Sequence, residues 1–385
     1  NDDSTRHMRA LMSVDNQIKG WVASITIPPE GIVLGGHLIP PGSNFGGSFI
    51  STSLSRADFS AQLHNATSQL LLSMKADLAA DKAIEALQTP LTPEEQAVSG
   101  RTTGRKPIIA ISNTNETFLD YFVGKKKEDG GVQLRQRFTK DEFNFSQVLQ
   151  RHVLRALQIN IKLPGGDATR IVLRPEELPE PIRRNFLRIL DQAKNFSNDL
   201  PGSPIDHIKQ RLAQAGYVAE EITGRHYGVD LTDPDNPKLI EREKPNQNDI
   251  IERYNNGEID VLIVNPAGAS GLSAHAAPYF KDRRPRIYLG TQAELNVATE
   301  LQKMGRINRK AQVCEPYYLQ LYLDLPSEYR PASVLLRKMK SLSANTSANA
   351  NSLYAPKEFP NFMNKYGNRA VFQYFQNNVN VARSL

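Results

Sequence analysis

A set of short, nearly continuous apolar runs, separated by stretches of helical periodicity, limits what this chain can fold into more than any other feature. Pro107-Ile108-Ile109-Ala110-Ile111-Ser112, Ile259-Asp260-Val261-Leu262-Ile263-Val264, Arg286-Ile287-Tyr288-Leu289 and Tyr317-Tyr318-Leu319-Gln320-Leu321-Tyr322-Leu323 leave little polar face for water. Strands buried on both faces of a parallel sheet read this way. Helical patterns stand between and around them, at residues 181–195, 204–216, 247–256 and 293–310. Strands alternating with helices of that length predict an α/β fold with a doubly wound, mostly parallel sheet.

The sheet-forming part is expected over residues 106–325, after a lead-in and connecting segment over 1–105 that includes a helical stretch near Leu70 to Leu87. The polar stretch at 124–200, with Lys125-Lys126-Lys127 and Leu163-Pro164-Gly165-Gly166-Asp167, is too long for a simple connection and is expected to be a helical insertion. Residues 326–385 form an extension. Beyond Asn345 it is rich in asparagine, serine and alanine and then turns aromatic (Phe359, Phe362, Tyr366, Phe372, Tyr374, Phe375), as a flexible link followed by a docked end would. The single cysteine, Cys314, excludes an internal disulfide and a cysteine-rich zinc site and suits a reducing compartment. With no apolar run near the ~20 residues of a membrane span, a cytoplasmic protein without membrane contact is expected. The net charge of +6 is compatible with a polyanionic partner but does not require one. A first residue Asn1, rather than methionine, suggests a processed chain or a piece of a longer one.

Two segments carry chemistry. In Gln302-Lys303-Met304-Gly305-Arg306-Ile307-Asn308-Arg309, helical spacing would set Gln302, Arg306 and Arg309 along one side of successive turns, with two guanidinium forks aimed one way. Such forks suit phosphate oxygens and the charge that develops on a phosphoryl group in transit. A lone Arg-x-x-Arg is more often a solvated basic face. Asn265-Pro266-Ala267-Gly268-Ala269-Ser270-Gly271-Leu272-Ser273 follows a buried strand, and its small residues leave backbone amides open at the sheet's carboxyl end, where open α/β sheets bind ligands. Alone, it would read as a tight turn.

Together the two segments resemble helicase motifs VI and V, in the order of a helicase's second RecA-like lobe. Several blocks are similar to those of the Strawberry notch-like helicases of superfamily 2: Leu200-Pro201-Gly202-Ser203-Pro204-Ile205-Asp206, Val218-Ala219-Glu220-Glu221-Ile222-Thr223-Gly224-Arg225, Ser270-Gly271-Leu272-Ser273-Ala274-His275-Ala276, Gly305-Arg306-Ile307-Asn308-Arg309-Lys310-Ala311-Gln312 and Leu325-Pro326-Ser327-Glu328. The resemblance implies ATP-dependent movement on DNA or RNA. It makes Arg309 the finger with Arg306 beside it, Gln302 and Gly305 near the nucleotide, and Gly271, Ser270 and Ser273 the loop that couples ATP to the strand. Where many members of the wider superfamily carry threonine or serine, this chain has Asn265 followed by Pro266. Ser112-Asn113-Thr114 stands where motif IV would meet a phosphate backbone, though capping of the next helix would explain it equally. Arg225 could meet phosphate or be a surface turn residue, and His275, with no second ligand at spacing, reads as a structural histidine.

A motor of this class also needs a Gly-x-x-x-x-Gly-Lys-Ser/Thr loop around the phosphates. Gly100-Arg101-Thr102-Thr103-Gly104-Arg105-Lys106-Pro107 has the wrong glycine spacing and proline where the magnesium-binding hydroxyl belongs, and Asp141-Glu142 does not follow an apolar strand. ATP and Mg2+ would then be held mainly by a first, N-terminal lobe in the same or a partner polypeptide, and this chain alone would be inactive. The alternative is a non-catalytic nucleic-acid-binding or interaction module that keeps the helicase-lobe fold.

Overall fold

The computed structural model describes residues 2–45, 52–114, 116–119, 123–126, 132–134, 139, 143–165, 168–196, 200–233, 235–243, 246–266, 271, 273–294, 296–347 and 365–380. Ser270 and the Asp141-Glu142 pair lie outside these residues. The chain divides into two units, one of residues 1–74, 115–204 and 227–240, the other of 75–114, 205–226 and 241–385.

The first unit contains helix α1 (Asp2–Ala23), the hairpin β1 (Ile32–Leu34) and β2 (His37–Ile39), and the first part of the long helix α2 (Thr52–Gln88). Val14, Ile18 and Val22, four apart on α1, are fully buried, as one stripe of an amphipathic helix should be. Leu34 pairs with His37, so Gly35-Gly36 make a two-residue turn; both have positive φ, 58° and 78°, which the right-handed twist of a hairpin favours and only glycine adopts freely. The stretch expected to be a helical insertion does carry helices α4 (Glu116–Leu119), α5 (Phe145–Arg155) and α6 (Glu180–Lys194). It also carries two antiparallel hairpins, β4 (Val123–Lys126) with β5 (Val132–Leu134) and β6 (Gln158–Lys162) with β7 (Ala168–Val172). Side chains of α5, α6 and the β6–β7 hairpin share one core with α1, built around Phe145, Val153, Ile161, Phe186 and Ile189.

The second unit holds a five-stranded, wholly parallel sheet. Its strands are β3 (Lys106–Ala110), β8 (Ala219–Ile222), β11 (Val261–Val264), β12 (Arg286–Gly290) and β13 (Tyr317–Gln320), in spatial order β13-β12-β3-β11-β8. The short pair β9 (Tyr227–Asp230) and β10 (Lys238–Glu241) stands apart from it. Helices α3 (Pro93–Ser99), α7 (Pro204–Gln214), α8 (Gln247–Asn256), α9 (Val297–Met304), α10 (Pro326–Ser347) and α11 (Lys365–Asn377) complete the chain. One face of the sheet, through Ile108, Leu262 and Tyr288, packs with Ile250 and Tyr254 of α8, Met304 of α9 and Leu335 and Met339 of α10. The residues of the opposite face, Ile109, Ile263 and Leu289, are buried as well. Both faces are covered, which is why these strands read as unbroken apolar runs. This is the RecA-like arrangement the sequence predicts.

Ala110, Ile222, Val264, Gly290 and Gln320 fall in one register row, so all five strands end along one edge. The chain runs from β3 to β8 and β11 on one side, then crosses to β12 on the other. The topological switch therefore falls at the carboxyl ends of β3 and β12, where open sheets form their binding crevice.

Candidate functional site

At that switch the loop after β3 meets the loop after β12. The amides of Ser112 and Asn113 both donate to Gln292 Oε1, at 2.8 and 3.1 Å, and the Ser112 hydroxyl donates to Glu294 Oε1 at 2.5 Å. Glu294 in turn pairs with Lys303 Nζ at 2.9 Å, and Lys303 reaches Glu300 Oε2 at 3.0 Å. Glu300 Oε1 accepts from Tyr288 Oη at 2.8 Å and Gln320 Nε2 at 2.7 Å. The network runs from the candidate phosphate-binding loop to α9, the helix that leads into the arginine segment. It was invisible in the sequence, because Glu294 and Lys303 stand nine apart across a helix start. It also commits the Ser112 hydroxyl and both amides within the protein; Asn113 and Thr114 are each partly exposed.

The arginine segment departs from the expected helix. α9 stops at Met304 instead of continuing to 310; Gly305 caps it, its amide bonded to Leu301 O at 2.8 Å. Gln302 is exposed on the last turn, whereas Arg306 and Arg309 follow in an irregular turn. What fixes them is a backbone tie to the segment after β11. The Ala274 amide donates to Arg306 O at 3.0 Å and the Val313 amide to Ala276 O at 2.8 Å. The Ala274 carbonyl is held from the other side by Arg286 Nε at 3.0 Å, and Ser273 O accepts from Asn255 Nδ2 at 2.9 Å. The two motif-like segments are thereby joined, though not by helical spacing. Arg306 is half-buried and Arg309 exposed; burial first, and the charge of Arg309 second, lower the Arg306 pKa, as expected of two cations in a small space.

Asn265 is buried directly after β11, and Gly271, exposed, has φ 79°, a left-handed conformation that suits glycine. Arg225 corrects its sequence reading. Its guanidinium is fully enclosed, bonded to Asp206 Oδ1 and Oδ2 at 2.6 and 2.8 Å and to Glu221 Oε1 and Oε2 at 2.8 and 2.5 Å, so it is spent within the protein and does not face phosphate. Burial alone would raise the Glu221 pKa, but Arg225, with Arg242 at 2.7 Å, outweighs it and holds that carboxyl down to about 2. The aromatic tail also differs from the docked end expected. Tyr366, Phe372 and Tyr374 on α11 are 71%, 62% and 54% exposed; Phe359 and Phe362 lie outside the described residues. No helix among the described residues is long and apolar enough to cross a membrane.

A parallel sheet of this order, with a glycine-rich segment after β11 tied to a Gly-Arg-x-x-Arg turn after α9, defines a helicase-like domain. Residues 203–384 match the family model described as the C-terminal domain on Strawberry notch homologue. The likeness to the Strawberry notch-like family rests on this stretch, a little under half of the chain. It is 28% identical over 219 residues to the rat protein strawberry notch homolog 1, covering 54% of this chain and 17% of that protein. It is 28% identical over 207 residues to human homolog 2 (50% and 14%) and 29% identical over 194 residues to Drosophila strawberry notch (48% and 11%). The matched part thus spans less than a fifth of the length of these relatives.

Proposed function

We propose that this chain supplies the second motor lobe of an ATP-dependent superfamily 2 helicase or translocase acting on DNA or RNA. The observation that carries the reading is the backbone tie between Ala274–Ala276 and Arg306–Val313, which holds the nucleic-acid-side segment and the arginine turn as one piece. In this reading Arg309 is the finger that stabilises charge developing on the transferred phosphoryl group, and Arg306 sits beside it. Gln302 and Gly305 border the nucleotide, and Gly271 with Ser273 belongs to the loop that couples it to the strand. Asn113, Thr114, Asn265 and Ser270 contact the strand, whereas Ser112 braces the loop through Glu294. ATP supplies the phosphoanhydride bond whose cleavage drives movement. Among the described residues no group of three His, Cys, Asp or Glu side chains is placed to hold a metal, and we assign Mg2+ and most of the triphosphate contacts to the first lobe.

The expected result is that this chain alone hydrolyses almost no ATP and gains turnover when joined to a phosphate-binding lobe. Substitution of Ser273 should then leave basal turnover nearly intact and reduce its stimulation by single-stranded nucleic acid. Robust hydrolysis by the isolated chain would contradict the assignment of the phosphate loop to another lobe. The commitment of Ser112 within the protein favours a second reading, a binding or interaction module without motor activity; failure of any first lobe to confer turnover would select it.

A further inference from the structure

His275 lies between the two backbone rungs that tie the segment after β11 to the arginine turn, and it is only 4% exposed. Its Nε2 stands 3.4 Å from Tyr279 Oη, the two rings edge to face. Of the two possible directions we take the Tyr279 hydroxyl as donor and Nε2 as acceptor, the phenol being the stronger acid. The neutral ring then carries its own proton on Nδ1. Nδ1 has no hydrogen-bond partner among the described residues. A buried donor left unsatisfied costs about 1–3 kcal/mol, so such an atom needs an explanation.

The nearby charges cannot satisfy it. Arg286 and Arg309 are close enough for their charge, after burial, to lower the His275 pKa, but guanidinium groups offer only donors. Arg286 is moreover spent on the carbonyls of Ala274, Arg284 and Asp282. An oxyanion suits an N–H donor enclosed beside cations, since it accepts the hydrogen bond and offsets their charge. A neutral ring there adds a directed hydrogen bond without adding another charge.

We propose that His275 donates its Nδ1–H to an oxygen of a phosphate group bound beside Arg309. The inference rests on the phosphate-facing reading of the arginine turn and extends it to a residue that sequence spacing marks as structural. In the bound state His275 and Arg309 grip the same group from the two tied segments, so the tie itself senses the phosphate.

The test is binding of inorganic pyrophosphate to the chain and its folded variants, followed by 31P NMR, with the tautomer of 15N-labelled histidine read in parallel. His275→Ala is expected to weaken pyrophosphate about tenfold, the worth of one hydrogen bond to a charged group. His275→Asn, which keeps an N–H near the Nδ1 position, should stay within about threefold of the parent, while His275→Gln, which offers one near Nε2, should fall with alanine. The His275 signal should show the Nδ1–H tautomer and move on addition of pyrophosphate. If binding depends on Arg309 but not on His275, the inference is overturned and the arginine reading stands. If binding is unchanged by His275→Ala and by Arg309→Ala alike, the inference is overturned, because no phosphate is held between the two residues, and the finger reading is judged separately by turnover. No measurable binding at millimolar pyrophosphate, or an Nε2–H tautomer in the free chain, also overturns the inference.

Discussion

Arg225 looks in the sequence like a phosphate contact, yet in the fold it is the centre of a buried fork with Glu221 and Asp206. Removing it would take the bidentate partner from both carboxylates and leave Glu221 to Arg242, so Arg225→Ala should cost about 3–5 kcal/mol in denaturant unfolding; a loss under about 1 kcal/mol would show the fork to be ornamental. The same pairing sets a pH window. The folded-state pKa of Glu221 is depressed to about 2, so its contribution is present above the ordinary carboxylate value and is lost as pH falls from there through about 2. The linkage is worth roughly 3 kcal/mol, and Glu221→Gln should flatten the acid limb of stability against pH. Ala311 is the positive-φ residue other than glycine among the described residues, at φ 70°. It sits in the turn closed by the Gln312 amide on Arg309 O and by the Arg309 amide on Gln312 Oε1. Ala311→Gly should raise the melting temperature by relieving about 1 kcal/mol of strain, and Ala311→Val should lower it.

At the scale of elements, periodicity was informative wherever an element's own residues decide its fate. Helix α8 falls at 247–256 as expected, ended by Gly257 with its left-handed φ of 89°. The strand β8 was not legible, because Ala219-Glu220-Glu221-Ile222 does not read as an apolar run; Glu221 is buried only because Arg225 and Arg242 reach it from elsewhere in the chain. The arginine segment reads as helix to 310, but after Gly305 its backbone is claimed by Ala274 and Ala276, a competition that local spacing cannot show. The spacing thus misplaced the backbone of Arg306 and Arg309, which lie beyond the end of the helix. A similar close approach shapes β12. A Cβ on Gly290 would stand 1.9 Å from Gln320 Oε1, whose side chain crosses there to reach Glu300. Gly290→Ala should destabilise the domain by about 1–3 kcal/mol, and part of that should return in Gly290→Ala combined with Gln320→Ala. Simple additivity of the two single changes would contradict the clash.

At the scale of the whole molecule, the two units have separate apolar cores, and the candidate chemistry lies in the second: the Ser112–Glu294 network at the carboxyl ends of β3 and β12, and the arginine turn tied to Ala274, whose carbonyl is held by Arg286 at the start of β12. In the proposed reading the cations of that turn meet a phosphate held by another lobe. The central claim is that Arg309 acts on charge formed during phosphoryl transfer. It is tested most directly by steady-state ATP hydrolysis and nucleotide binding in the chain joined to its phosphate-binding lobe, parent against Arg309→Ala. The account predicts a fall in turnover on the order of 10³ or more with nucleotide affinity little changed. Hydrolysis by Arg309→Ala at the parental rate, in a folded protein, would contradict it.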